Sequence, residues 1–262
     1  MSGGAAAFDF SGRRVLVTGA SHGIGFAVAR AFAGAGAELA ILSSSADIDS
    51  AAARIGAESG REVRALRCDV TDREAVRRTV GALGALDVLV SNAGLELITP
   101  LLEPGDEIER TFVRIIEINV IGTYYVCREA VPLIPAGGSI VLTSSIWGKT
   151  GAADFSAYVT SKHANIGFMR VLAKELGPKG IRVNAVCPGW VRTRAALRSL
   201  KEVAALAETS EEAMLDEILS AQALPGLMEP DDVAGLYLFL ASDQASSVTG
   251  QAYNVDRGEV MA

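Results

Sequence analysis

Tyr158 and Lys162 stand four residues apart in a stretch with helical patterning, so a helix sets them on one face, a turn apart. An ammonium beside a phenol favours the phenolate, lowering a pKa that is about 10 when unperturbed. Such a tyrosine can take a proton from an alcohol or give one to a carbonyl. Most Tyr-x-x-x-Lys pairs are only a surface lysine beside a half-buried ring, so the pair needs company. Ser145 provides it. It lies thirteen residues before Tyr158, just past an apolar run of strand length at 139–143. Ligands of open α/β sheets sit at strand C-termini, where a hydroxyl can hold a substrate oxygen. Asn119 falls inside an apolar helical run, Glu117-Ile118-Asn119-Val120-Ile121-Gly122. A buried amide there needs partners. It either satisfies the core or orders a water that leads to Lys162.

A second constellation lies near the N-terminus. The first strand-like run leads into Thr18-Gly19-Ala20-Ser21-His22-Gly23-Ile24-Gly25, and a helical pattern follows directly. Glycines permit a tight turn and a close backbone approach to a pyrophosphate, and a helix N-terminus adds free N–H groups and a positive dipole end. A glycine-rich turn is weak evidence by itself, but its place at the first βα junction favours phosphate binding over a plain turn. The spacing is GxxxGxG, not the GxGxxG of the common dinucleotide fingerprint.

These residues need elements to position them. Strand-length runs at 15–17, 39–42, 64–67, 86–90, 139–143, 182–186 and 252–255 alternate with helical stretches at 25–35, 46–59, 73–83, 108–131, 157–176 and 231–240. Such alternation predicts an α/β fold, one doubly wound Rossmann-type domain over 1–262. Its sheet is mostly parallel and seven-stranded, with helices on both faces. Residues 1–10 read as an N-terminal tail, and 195–224 as one or two helices inserted outside the sheet, near the substrate.

Composition narrows the function further. The chain has 262 residues, half of them hydrophobic, and a formal net charge of −7. That charge gives no general attraction to nucleic acid or to an anionic membrane. Cys68, Cys127 and Cys187 form neither a disulfide framework nor a metal cluster and read as buried small hydrophobes; no metal is expected. Residues 1–10 lack the basic and apolar regions of a secretory signal, and no apolar run approaches the ~20 residues of a membrane span. A soluble, cytoplasmic protein is expected.

From about Gly12 to Gly258 the chain resembles the classical short-chain dehydrogenases/reductases. The matching motifs are the turn 18–25, Cys68-Asp69-Val70, Ser91-Asn92-Ala93-Gly94, Asn119, Ser145, Tyr158-x-x-x-Lys162, Pro188-Gly189 and Thr193. The resemblance implies a catalytic tetrad of Ser145, Tyr158, Lys162 and Asn119. It implies a nicotinamide cofactor held by Gly19, Ser21, His22, Gly23, Ile24, Gly25, Ser43, Ser44, Val70, Ala93, Gly94, Pro188 and Gly189. Asp69 would lie near the adenine, Asn92 at the ribose, Val191 and Thr193 at the carboxamide, and Lys162 on the nicotinamide ribose. Ser91 stands where the family often has asparagine. Val255-Asp256-Arg257-Gly258 replaces the usual Val-Asp-Gly-Gly, and since arginine lacks glycine's φ freedom the tail is expected to run differently.

NAD-users carry an acidic residue after the second strand, which binds the ribose hydroxyl and repels a 2′-phosphate. Here that stretch is Leu42-Ser43-Ser44-Ser45, with neither carboxylate nor arginine. The cofactor is expected to be NADP or NAD, with NADP favoured; Asp47 or Asp49 reaches the ribose only if the turn folds back. The layout of 188–233 resembles hydroxybutyrate dehydrogenases, yet Glu96, Trp147 and Phe155 stand where those enzymes bind a carboxylate. Glu96 and Trp147 suit a neutral sugar or polyol better, since a carboxylate accepts from hydroxyls and an indole covers the apolar face of a sugar. Leu95, Phe155 and Trp190 could instead wall a pocket for a larger apolar ketone. A non-catalytic nucleotide-binding regulator is the other class of reading, and the intact tetrad speaks against it. Sugar-nucleotide epimerisation fits neither the glycine spacing nor the short C-terminus. The family resemblance also implies a homotetramer, with the helix at 115–131 and the segment 237–262 as packing candidates.

Overall fold

The computed structural model describes residues 8–103 and 105–261. Seven strands run β1 Arg14–Thr18, β2 Glu38–Ser43, β3 Val63–Arg67, β4 Val88–Ser91, β5 Ser139–Thr143, β6 Arg182–Pro188 and β7 Ala252–Val255. They form one sheet in the order β3-β2-β1-β4-β5-β6-β7, and every pairing is parallel. The order reverses between β1 and β4, which opens a crevice at their C-terminal ends.

The strands are apolar on both sides because both faces are covered. Val15 and Val17 of β1 point into a core with α1 (Gly23–Gly34), α2 (Ile48–Ser59) and α9 (Pro230–Ala241), whereas Leu16 points into the opposite core. That second core is completed by α3 (Arg73–Gly81), α5 (Thr123–Ala130) and α6 (Ser156–Leu176). The two-residue period of the strands thus feeds two helical layers.

Three expectations need correction. The helix expected over 108–131 is α4 (Asp106–Ile116), a π-helical turn over Glu117–Gly122, and α5. Gly122 in that turn meets the 68–70 loop so closely that a Cβ would stand 2.6 Å from Val70 Cγ2. The strand expected at 86–90 begins at Val88, since Asp87 is turned aside to accept from the Arg14 backbone at 2.8 Å and from its Nε at 2.9 Å. Residues 8–10 are not a tail: Phe10 is 2% exposed and meets Phe32 edge-on at 4.8 Å. The rest of that expected tail, 1–7, lies outside the described residues. In the segment 237–262, Tyr237 is fully buried, while Tyr253 and Met261 are exposed.

The insertion at 195–224 is two helices, α7 (Arg194–Leu206) and α8 (Glu211–Ser220), each N-capped by the side chain before it, Thr193 and Ser210. Cys68, Cys127 and Cys187 are all buried. Among the described residues no helix is long and apolar enough to cross a membrane.

Candidate active site

A cavity of about 770 Å³ opens over the crevice between β1 and β4. Every residue expected at the cofactor or the substrate lines it, and of the expected tetrad only Asn119 does not.

The cofactor half is built on the glycine turn. Gly19 and Gly23 have φ of +67° and +59°, which glycine adopts without strain. Gly25 is required by space: a Cβ there would stand 2.3 Å from the Gly19 oxygen and 2.5 Å from Asn92 Nδ2. The first turn of α1 has no side-chain cap and no acidic residue, so its N–H groups face the cavity unneutralised. A bare, positive helix end over a glycine cradle fits a pyrophosphate.

Asn92 does something the sequence did not reveal. Its Nδ2 donates to the Thr18 and Gly19 carbonyls at 3.1 and 3.3 Å, and its Oδ1 accepts from the Thr143 hydroxyl at 3.1 Å. The Thr143 hydroxyl is in turn 2.8 Å from the buried Tyr237 hydroxyl. The amide therefore ties the turn to β5, and a ribose meets a side chain whose amide hydrogens are committed. Asp69 accepts from the Thr71 backbone and hydroxyl and from Arg114. Burial pushes its carboxyl up, but these partners outweigh that and hold it below its usual value.

At the end of β2, Ser43 Oγ lies 3.3 Å from Ser21 Oγ and accepts from the Ser45 backbone at 3.2 Å. Asp47 and Asp49 do not line the cavity; Asp47 is 3.9 Å from Arg194 at the start of α7. Thr193 spends its hydroxyl as the α7 cap, accepting from Ala196 at 3.1 Å, while its methyl stands over Gly23.

Ser145, Tyr158 and Lys162 converge below this. Ser145, two residues past β5, accepts from the Trp147 backbone at 3.2 Å and bonds the Tyr158 hydroxyl. Lys162, one helical turn beyond Tyr158 on α6, is 3% exposed and donates to the Thr143 carbonyl at 3.0 Å. Its ammonium lies 5.3 Å from the centre of the Tyr158 ring. The expected lowering of the phenol is reversed: burial first, then the Glu96 charge, push Tyr158 up, and Ser145 opposes them only partly. Burial pulls Lys162 down to about 8.

The Asn119 side chain does not reach for a water with its amide hydrogens. It accepts from the Leu95 N–H at 2.7 Å and donates to the Leu95 carbonyl and to Ser161 Oγ, both at 2.9 Å. It pins the chain after β4 against α6, and so positions both Leu95 and the helix that carries Tyr158.

The part of the cavity expected to take the substrate is walled by Trp147, Phe155 and Trp190 and roofed by α7 and α8. The Trp147 ring packs on Phe155 at 4.8 Å and meets the Tyr158 ring edge-on at 6.0 Å. Burial pushes the Glu96 carboxyl up, opposed by Ser199 and the Arg198 charge, and Arg198 also donates to the Glu96 backbone carbonyl. Leu200, Val203, Met214 and Ile218 add an apolar roof. Arg114, Ser199, Glu217 and Glu259 also line the cavity and were not foreseen. Helical spacing puts Ser199 four residues before Val203, on one face of α7, but no local pattern marks that face as turned to a ligand. Arg257 departs from expectation in another way: it adopts the glycine-like conformation, φ +55°.

Comparison with known proteins agrees with this geometry. The family described as enoyl-(acyl carrier protein) reductase matches residues 19–259. The oxidoreductase UcpA of Salmonella typhimurium is 37% identical over 259 residues, covering 96% of this chain and 95% of that relative. L-sorbose reductase from Gluconobacter frateurii, solved with NADPH and L-sorbose, superposes with a TM-score of 0.88 at 27% identity, covering 98% of this chain and 99% of that one. Carveol dehydrogenase from Mycobacterium avium, solved with NAD, gives a TM-score of 0.85 at 30% identity, covering 95% and 98%.

Proposed function

Because the chain belongs to the short-chain dehydrogenase/reductase family, and so is an NAD(P)-dependent oxidoreductase, we propose that it reduces the carbonyl of a hydroxyl-bearing substrate of the sugar or polyol type, with NADPH as the preferred cofactor. One observation carries the substrate reading: the Glu96 carboxyl lies in the same cavity as Tyr158, close enough to raise it, beside the Trp147 ring. A buried acceptor next to an aromatic wall suits hydroxyls on one edge and an apolar sugar face on the other.

When bound, the dinucleotide supplies the hydride. The residues of this chain do the rest. Ser145 and Tyr158 hydroxyls hold the carbonyl oxygen from two sides. Tyr158, kept neutral by burial and by Glu96, gives its proton to that oxygen as the new C–H bond forms. Lys162, with a value of about 8, carries its positive charge at neutral pH and stabilises the phenolate left behind. Asn119 is a positioning residue acting through Leu95 and Ser161.

The NADP preference is supported by the absence of a carboxylate at Ser43-Ser44-Ser45 and by the engagement of Asp47 with Arg194. A second substrate reading, a larger apolar ketone, draws on Leu95 and on the α7–α8 roof. A homotetramer is supported by apolar side chains left exposed on adjoining helices: Val113 at 49%, Tyr124 at 42% and Val171 at 51%. The test is NADPH oxidation across ketoses, polyol-derived ketones, keto acids and apolar ketones. Tyr158→Phe keeps the ring but removes the transferable proton, so turnover falls at least ~100-fold while NADPH still binds. A Tyr158→Phe enzyme with undiminished turnover would refute the mechanism, and turnover confined to apolar ketones or keto acids would refute the substrate class.

A further inference from the structure

Beyond β7 the chain turns back toward the cavity. Asp256 accepts from the Gly258 N–H at 3.0 Å, the Val260 N–H at 2.9 Å and the Asn254 amide at 3.4 Å, and its own carbonyl accepts from the Glu259 N–H at 3.1 Å. Arg257 is held in its left-handed conformation from two directions. Its carbonyl accepts from the Leu224 N–H at 2.9 Å, and its Nη1 donates to the Pro225 carbonyl at 2.8 Å. Gly189 makes room for the turn: a Cβ there would stand 2.7 Å from Asp256 Cβ and 3.3 Å from Glu259 Oε2.

This turn delivers Glu259 to the wall of the cavity that holds Tyr158 and Glu96. Its Oε2 is buried and has no hydrogen-bond partner. Ser199 on α7, 5% exposed, lines the same cavity with its hydroxyl turned to the Glu96 carboxyl. Buried polar atoms without partners are uncommon in native proteins, and a ligand is one explanation for them. The cavity wall carries the carboxyls of Glu96 from the chain after β4, Glu217 from α8 and Glu259 from the tail. Lys162, the ammonium beside them, spends one of its three N–H donors on the Thr143 carbonyl. An anionic substrate would meet these carboxylates unfavourably, whereas a ligand carrying several O–H donors would satisfy them. Burial, helped by Asp256, also pushes the Glu259 carboxyl up.

We infer that Glu259 is a second substrate-recognition residue, whose carboxyl accepts hydroxyl groups of a polyhydroxylated ketone away from the carbonyl that Tyr158 protonates. The inference rests on the carbonyl-reductase reading of the site and extends it to the C-terminal tail. A site built to pair substrate hydroxyls rejects the analogue that lacks them, because its buried acceptors are then left unpaired.

The test measures kcat and KM with NADPH on D-fructose and L-sorbose, on the three-carbon hydroxyacetone, and on 2-hexanone, which has the six-carbon chain without hydroxyls. In the wild type the ketohexoses are preferred to 2-hexanone. In Glu259→Leu the ratio of kcat/KM for ketohexose over hydroxyacetone falls at least tenfold, mainly through KM. Glu259→Gln keeps the side-chain volume and guards against a folding defect; its ratio falls at least threefold, since one acceptor oxygen is replaced by a donor. NADPH affinity, read from quenching of Trp147 and Trp190, which both line the cavity, reports whether each variant is folded. A ratio within twofold of wild type in the folded variants overturns the inference and leaves the reductase reading standing, as does a wild-type preference for 2-hexanone. No turnover of any ketone overturns both.

Discussion

Gly25→Ala puts the packing of the glycine turn to a quantitative test. The added methyl would stand 2.3 Å from the Gly19 carbonyl oxygen and 2.5 Å from Asn92 Nδ2, about 1 Å inside normal contact. Neither neighbour can simply step back. Gly19 is held by its N–H bond to the Leu42 carbonyl at 2.7 Å, and Asn92 by its bonds to Thr18 and Thr143. Overpacking costs about 1–3 kcal/mol, and losing the two Asn92 Nδ2 bonds costs about 1 kcal/mol each. Replacing a helical glycine by alanine returns at most ~1 kcal/mol. The net loss is about 2–4 kcal/mol, which in a chain of this size lowers the melting temperature by roughly 5–15 °C. Because the strain falls on the turn that faces the dinucleotide, NADPH affinity should drop at least tenfold. Gly34→Ala, in the same helix with nothing within 4 Å of its Cβ, is the matched control and should not destabilise. Thermal melts by circular dichroism and a fluorescence titration with NADPH decide the matter. If Gly25→Ala melts within 2 °C of wild type and binds NADPH equally well, the steric argument is wrong.

Lys162 makes stability depend on pH in a specific sense. Its folded value, about 8, lies below that of an unfolded lysine, so between the two the unfolded chain binds more protons. The wild type should therefore gain stability relative to Lys162→Met as pH rises from about 8 to about 10; parallel denaturant midpoints measured without nucleotide would show a flat difference if the lysine were not buried as described. Ser44→Asp places a carboxylate where a 2′-phosphate would sit, and the NADPH-to-NADH ratio of kcat/KM should fall at least tenfold; an unchanged ratio would reject the placement of the adenosine end. Light scattering should give four times the chain mass for the wild type and a smaller species for Tyr124→Glu combined with Val171→Glu, whereas a wild type of monomer mass ends the tetramer proposal.

Much of the site is local, and what is local is legible. Gly19, Gly23 and Gly25 announce a turn because only glycine tolerates their φ or their crowding. Tyr158 and Lys162 share a face because a helix repeats every 3.6 residues, and Ser145 lies at a strand end because the apolar run stops at Thr143. The alternation of apolar strands and helices determined the parallel, doubly wound sheet, since parallel neighbours need crossovers and both faces need cover. None of this required knowing which distant segments meet.

The rest depended on such meetings. Asn119 reads equally as a core amide or as a residue that orders a water, and Asn92 reads as a ligand for ribose; Leu95, Ser161, Thr18 and Thr143 claim their amides, and nothing near either asparagine in the chain names those partners. The π-helical turn around Asn119 interrupts a pattern that reads as unbroken helix. The charge state of Tyr158 reversed the expectation because desolvation and Glu96, sixty-two residues away, outweigh a lysine one turn away. Glu259 joins the cavity only because Gly189 leaves space and residues 224–225 hold Arg257 in place. Sequence by itself determined most of the elements and the glycine turn, and singled out Tyr158 as the proposed proton donor, because spacing along the chain sets those. Tertiary structure alone decided which polar groups are spent and which are left facing the substrate, because burial and pairing between distant segments set the free energy of a charge or an unpaired donor.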